Sequence, residues 1–147
     1  MTIRSITFDA VTGTGDETTF YEFSVDLGYC SNSELGTVYE ANYSSGSKTR
    51  VFETTTNFTI AASSPTIYFD TPFLYNPAEG NLIIDIIWPD GEGEFYSYNF
   101  PTAGVSSISG TYDLSEGYAF TDMSHLFLSD ALSFDQLTFA GIKASFR

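Results

Sequence analysis

Residues 21–27 place the tightest limit on the fold. Tyr21, Phe23, Val25 and Leu27 alternate with Glu22, Ser24 and Asp26. A period of two sends apolar side chains to one face of an extended chain and polar ones to the other, which predicts a half-buried β-strand. Alternation recurs over 57–60, 67–70 and 96–100, and Thr138, Ala140, Ile142, Ala144 and Phe146 share one parity. Turn-forming clusters at 12–16, 44–47, 63–65, 76–80 and 89–93 break the chain between these runs. No stretch keeps a 3.6-residue period over three turns, and the best helical candidate is a short turn within 122–135. Abundant Phe, Tyr, Thr, Val and Ile agree with strands. The expected fold is all-β, a single antiparallel β-sandwich of jelly-roll-like form over residues 1–147.

Charge narrows the function classes. The 147 residues carry 19 acids and 5 cations, a net charge of -14, yet 42% of them are hydrophobic, enough to build a core. Binding to nucleic acid needs clustered Lys and Arg, and only Arg4, Lys48, Arg50, Lys143 and Arg147 exist, so no nucleic-acid partner is expected. No membrane insertion is expected either, because the longest apolar run, Leu82 to Trp88, is short and contains Asp85. Cys30 has no second cysteine to pair with, which predicts a buried free thiol. The first residues, Met1 to Ser5, lack the long apolar stretch of a secretory signal, as in a cytoplasmic protein or a mature chain.

Between Val51 and Ile142 there is no Lys or Arg but 12 acids. Such a surface is read as a solvated acidic coat, or as one neutralised by calcium or by basic strands of a neighbouring subunit. The best metal candidate is Asp90-Gly91-Glu92-Gly93-Glu94, where Asp90, Glu92 and Glu94 offer calcium oxygen ligands on a glycine-rich loop. The plain reading of the same segment is a solvated hairpin turn between Leu82–Trp88 and Phe95–Phe100.

The most distinctive stretch runs from Tyr68 to Ile86. It reads as a strand, a corner marked by Pro72, a turn on Asn76-Pro77 and Gly80-Asn81, and a central strand buried on both faces. Thr71, Pro72, Phe73, Tyr75, Pro77, Gly80, Asn81 and Leu82 resemble the Thr-Pro-Phe-x-Tyr-x-Pro-x-x-Gly-Asn-Leu signature of a β-sandwich domain of secreted bacterial proteins, many with a PEP-type C-terminal sorting tail. Weaker likeness covers residues 3–88. The resemblance implies an extracellular, secreted protein whose signature is architectural, with no shared active site to carry over. No Pro-Glu-Pro motif or basic tail follows Phe146-Arg147.

Catalytic constellations do not emerge, and the chain is expected not to be an enzyme. His125 is the sole histidine, no Gly-x-Ser-x-Gly elbow exists, and one His with one Cys cannot form a zinc tetrad. Asn42-Tyr43-Ser44 and Asn57-Phe58-Thr59 fit the glycosylation triplet, which arises often by chance in a Ser/Thr-rich chain. Two function classes remain. One is a non-catalytic structural or adhesive module that self-assembles with homo-oligomer or filament neighbours through terminal or edge strands, the segments 3–8 and 137–146 being suited to donation. The other is a calcium-assisted carbohydrate-binding module that stacks an extracellular glycan on Trp88, Tyr96 and Tyr98.

Overall fold

The computed structural model describes residues 1–9, 17–61, 65–93, 99–101, 104–124, 126–130 and 143–146. Its strands are β1 (Thr2–Phe8), β2 (Glu17–Phe20), β3 (Phe23–Cys30), β4 (Thr49–Thr54), β5 (Phe58–Ala61), β6 (Thr66–Leu74), β7 (Asn81–Ile87), β8 (Gly91–Gly93), β9 (Asn99–Pro101), β10 (Ser106–Ser109), β11 (Tyr118–Phe120), β12 (Asp122–Ser124), β13 (Leu126–Ser129) and β14 (Lys143–Phe146). Among the described residues the one helical element is a 3-10 turn at Glu40–Asn42. The all-β expectation holds. The short turn named as the best helical candidate within 122–135 gives way to β12 and β13 over its described part, because Leu126 and Leu128 enter the core at a period of two while β13 pairs with β1.

Two main layers enclose the core. One is the antiparallel sheet β13-β1-β6; the other has six strands in the order β11-β10-β14-β7-β3-β4. β14 is parallel to both its neighbours, and every other pair in that sheet is antiparallel. Phe23, Val25, Leu27 and Tyr29 from β3 and Leu82, Ile84 and Ile86 from β7 meet Ile3, Ile6, Phe8, Ile67, Phe73, Leu126 and Leu128 from the opposite layer. Of the segments suggested for donation to a neighbour, β1 lies between β13 and β6, and β14, the described part of 137–146, lies between β10 and β7. A smaller sheet, β5-β2-β8, brings Phe20 and Phe58 to Phe23, with ring centroids 4.9 and 5.2 Å away.

The 68–86 segment is tied together by its own side chains. β6 runs on through Pro72 instead of turning a corner, and its excess residues form a bulge between the pairs Ser5–Tyr68 and Ile3–Phe73. Proline is tolerated because β6 is an edge strand. Tyr75 stacks on Tyr29 at 5.8 Å and donates its hydroxyl to the Gly80 carbonyl at 3.2 Å. Burial raises the Tyr75 phenol above its ordinary value, with the Tyr29 phenol adding to the rise. Gly80 sits at φ +140, where a Cβ would also lie 2.9 Å from the Cys30 carbonyl oxygen. β7 is buried on both faces, as its continuous apolar run predicts.

β3 differs from its half-buried expectation, for all eight of its residues are buried. The reason lies in residues 31–48, which fold back over the outer face of the six-stranded sheet. Leu35 and Tyr39 pack on Cys30, Ile83 and Ile108 there, with Tyr43 beside them. Cys30 is the buried free thiol expected. Asn42 ties the cover to itself, accepting from Gly36 N and donating to the Gly36 and Val38 carbonyls. Further backbone bonds join it to the 111–117 segment, Gly117 N to Thr37 O at 2.8 Å and Tyr39 N to Ser115 O at 3.2 Å.

Gly28 admits this cover. A Cβ at Gly28 would stand 2.7 Å from two ring carbons of Tyr43 and 3.1 Å from the Ser47 carbonyl oxygen. Gly28→Ala is therefore expected to cost about 1–3 kcal/mol through overpacking, read as a lower urea midpoint with unchanged slope. An unchanged midpoint would show that the cover shifts without cost.

Candidate functional site

A cleft of about 530 Å³ opens on the outer face of β4, β3 and β7, beside the cover. Register explains its chemistry. Arg50, Asp26 and Asp85 form one row across the three strands, and Glu53, Ser24 and Ile87 form the next. In a regular strand Arg50 and Glu53, three apart, would face opposite sides. The register shift between Val25 and Asp26 leaves Val51 as the extra residue of β4, so Val51 enters the core while Arg50 and Glu53 pair on the outer face.

Asp26 and Asp85 are almost fully buried, at 1% and 0% exposure. Cations bound to the cover and to β4 hold them. Arg50 donates Nε to Asp26 Oδ1 and a second nitrogen to Oδ2 at 3.2 Å, while its third nitrogen binds Glu53. Lys48 Nζ lies 2.6 Å from Glu40, 3.5 Å from Asp26 and 3.7 Å from Asp85, and 4.9 Å over the ring of Tyr43. The Tyr43 hydroxyl donates to Asp85 Oδ2 at 3.4 Å. Hydrogen bonding to Asp26 raises the Arg50 guanidinium above its ordinary value despite the opposing effect of burial, and the fields of Asp26, Glu53 and Asp85 reinforce it.

Glu22, Thr54, Thr55, Pro89 and Tyr112 complete the cleft wall. Ser24, 8% exposed, lies in its floor, and its hydroxyl makes no hydrogen bond among the described residues. The arrangement can offer fixed donors and acceptors to a polar guest. In the sequence Asp85 stands out only as an interruption of an apolar run, and Lys48 and Arg50 only as two of the five cations.

Of the residues expected to form sites, the described ones, Trp88, Asp90 and Glu92, do not line this cleft. Trp88 is half-buried in the aromatic cluster against the main core, its ring edge-on to Phe20 at 5.5 Å. Its parity along the β7 direction is that of Ile84 and Ile86, which points it inward. Tyr96, Tyr98, Glu94 and His125 lie outside the described residues. The glycine-rich acidic segment is not a simple hairpin turn: Gly91–Gly93 pair with Phe20, Thr19 and Thr18 of β2. Asp90 and Glu92 are exposed there, and Asp90 Oδ1 accepts from Gly91 N at 2.8 Å. Hydrogen bonding to Glu92 raises the Tyr21 phenol above its ordinary value, aided by burial and by the charges of Glu92 and Asp90. Among the described residues no three His, Cys, Asp or Glu side chains are grouped to hold a metal ion.

A second surface feature is the edge strand β11. Tyr118 and Phe120 are 77% and 46% exposed. The register Phe120–Ser107–Ala144–Ile84 crosses the sheet, so Phe120, and Tyr118 two residues away, share the face that elsewhere fills the core. Tyr112 and Leu114, in the preceding turn, are exposed as well. No helix among the described residues is long and apolar enough to cross a membrane. Comparisons with family models, curated proteins and solved structures returned no match.

Proposed function

We propose that the chain is a non-catalytic structural and adhesive module of extracellular type that associates with further copies of itself edge to edge through β11. The observation that carries this reading is the pair of exposed aromatic side chains on the core-facing side of an edge strand. An edge strand offers unpaired backbone groups, and exposed rings beside them gain by being covered. β11 is also self-complementary. Antiparallel pairing of two copies about a two-fold axis through Ala119 sets Tyr118 of each opposite Phe120 of the other, a cross-strand aromatic pair made twice. With β1 and β14 already paired on both sides, edges and not terminal strands are the available route.

A net charge of -14 opposes the approach of a second copy, so association is expected to strengthen with ionic strength. Light scattering across a concentration series should show the average mass rising toward a dimer, more steeply in high salt. Tyr118→Ser with Phe120→Ser should remain monomeric. A strictly monomeric wild-type protein at high concentration and high salt would reject the proposal.

A further inference from the structure

We infer that the cleft over Arg50 and Ser24 is a binding site for a neutral carbohydrate, held by hydrogen bonds to its hydroxyls and by the ring of Tyr112. This inference is independent of the edge pairing, because the cleft opens on the outer face of the sheet while Tyr118 and Phe120 belong to the core-facing side.

Charge selects the ligand class. Around and beneath the cleft, Glu22, Glu40, Glu53, Asp26 and Asp85 outnumber Lys48 and Arg50 by five to two, so an anion meets net repulsion. A cation finds Lys48 and Arg50 already on the acids of the floor. What the site retains is hydrogen-bonding capacity of both kinds. Among the described residues Arg50 uses three of its five N–H donors, which leaves two, and its 41% exposed side chain is held in place by Asp26 and Glu53. Glu53 and Glu22 supply acceptors, and the Ser24 hydroxyl in the floor has no intramolecular partner among the described residues. A sugar hydroxyl both donates and accepts, so vicinal hydroxyls can bridge a fixed guanidinium and a neighbouring carboxylate without adding charge.

Size and shape agree. The volume lies within the range of about 300–1,000 Å³ usual for small-molecule sites. Ile87 and Phe23 give the floor an apolar portion, and Tyr112, nearly half exposed, stands in the wall as a ring on which the apolar face of a pyranose can lie. The guanidinium, Asp26 and Glu53 are locked before any ligand arrives, which lowers the ordering cost of binding.

Calorimetry and amide chemical-shift mapping with neutral oligosaccharides (cello-, xylo-, manno- and chito-oligosaccharides), at up to about 10 mM to reach weak affinities, test the inference. Oligogalacturonate and a lysine-rich peptide serve as charged probes. At least one neutral sugar should bind, shift the amides of Thr54 and Thr55, and remain bound in excess EDTA. Tyr112→Ala and Glu53→Gln, both at exposed positions, should each weaken it about tenfold, and Tyr112→Phe should retain it. Light scattering of the same variants should match wild type. Binding of no neutral sugar, binding only to the peptide or the polyanion, or sugar binding unchanged in both weakening variants would overturn the inference.

Discussion

Arg50→Met is expected to lower the unfolding free energy by about 3 kcal/mol, near the lower end of the loss seen when one partner of a buried ion pair is removed. Asp26 has 2% of its side chain exposed, and Arg50 supplies both of its two-pronged hydrogen bonds. Without the guanidinium, the carboxylate retains, among the described residues, only the Lys48 ammonium at 3.5 Å, a longer contact that Lys48 divides with Glu40 and Asp85. That remaining cation is why the estimate stays at the lower end. Arg50→Lys should fall between wild type and Arg50→Met, because an ammonium keeps the charge and loses the fork. Chemical denaturation of wild type and the two variants measures both effects. A loss under about 1 kcal/mol would mean that water replaces Arg50 at Asp26.

Ile84→Ala should be damaging to a similar degree, at about 2–5 kcal/mol. Ile84 is fully buried and pairs in register with Leu27 of β3 and Ala144 of β14, in the interior of the six-stranded sheet. Its side chain fills the common core between the two layers, and backbone pairing on both sides restricts collapse around the space left behind. Ile84→Val should cost about 0.5–1.5 kcal/mol, since one methylene is lost instead of most of the side chain. Urea unfolding of the two variants should therefore order their midpoints below wild type, alanine lowest. Equal midpoints for Ile84→Ala and Ile84→Val would show that the sheet relaxes into the cavity.

Much of the scaffold was legible in local patterns. The apolar run after Asn81 marked a strand buried on both faces, and β7 is one. The period of two at Phe23, Val25 and Leu27 located β3 and its core-facing side. The same pattern misled about the other side of β3. Ser24 and Asp26 look solvated in sequence, whereas residues 31–48 and the cations of Lys48 and Arg50 enclose them. A polar residue in an alternating strand signals only that it points away from the first core, and local sequence carries no information on what later segment will cover it.

Alternation, turn spacing and charge by themselves determined an all-β chain, the core-facing parity of its main strands and a strongly acidic surface. Tertiary structure alone decided that Asp26, from residues 23–30, meets Asp85, from residues 81–87, in one row, and that a bulge turns Arg50 and Glu53 to the same side. It also decided that β14 enters between β7 and β10, and that β11 is left at an edge with its aromatic side chains uncovered. The physical reason is the range of the interactions. Backbone dihedrals and side-chain parity depend on neighbours in the chain, whereas strand order and burial of charge depend on which distant segments pair and on the free energy of desolvating groups brought together only when the sheet closes.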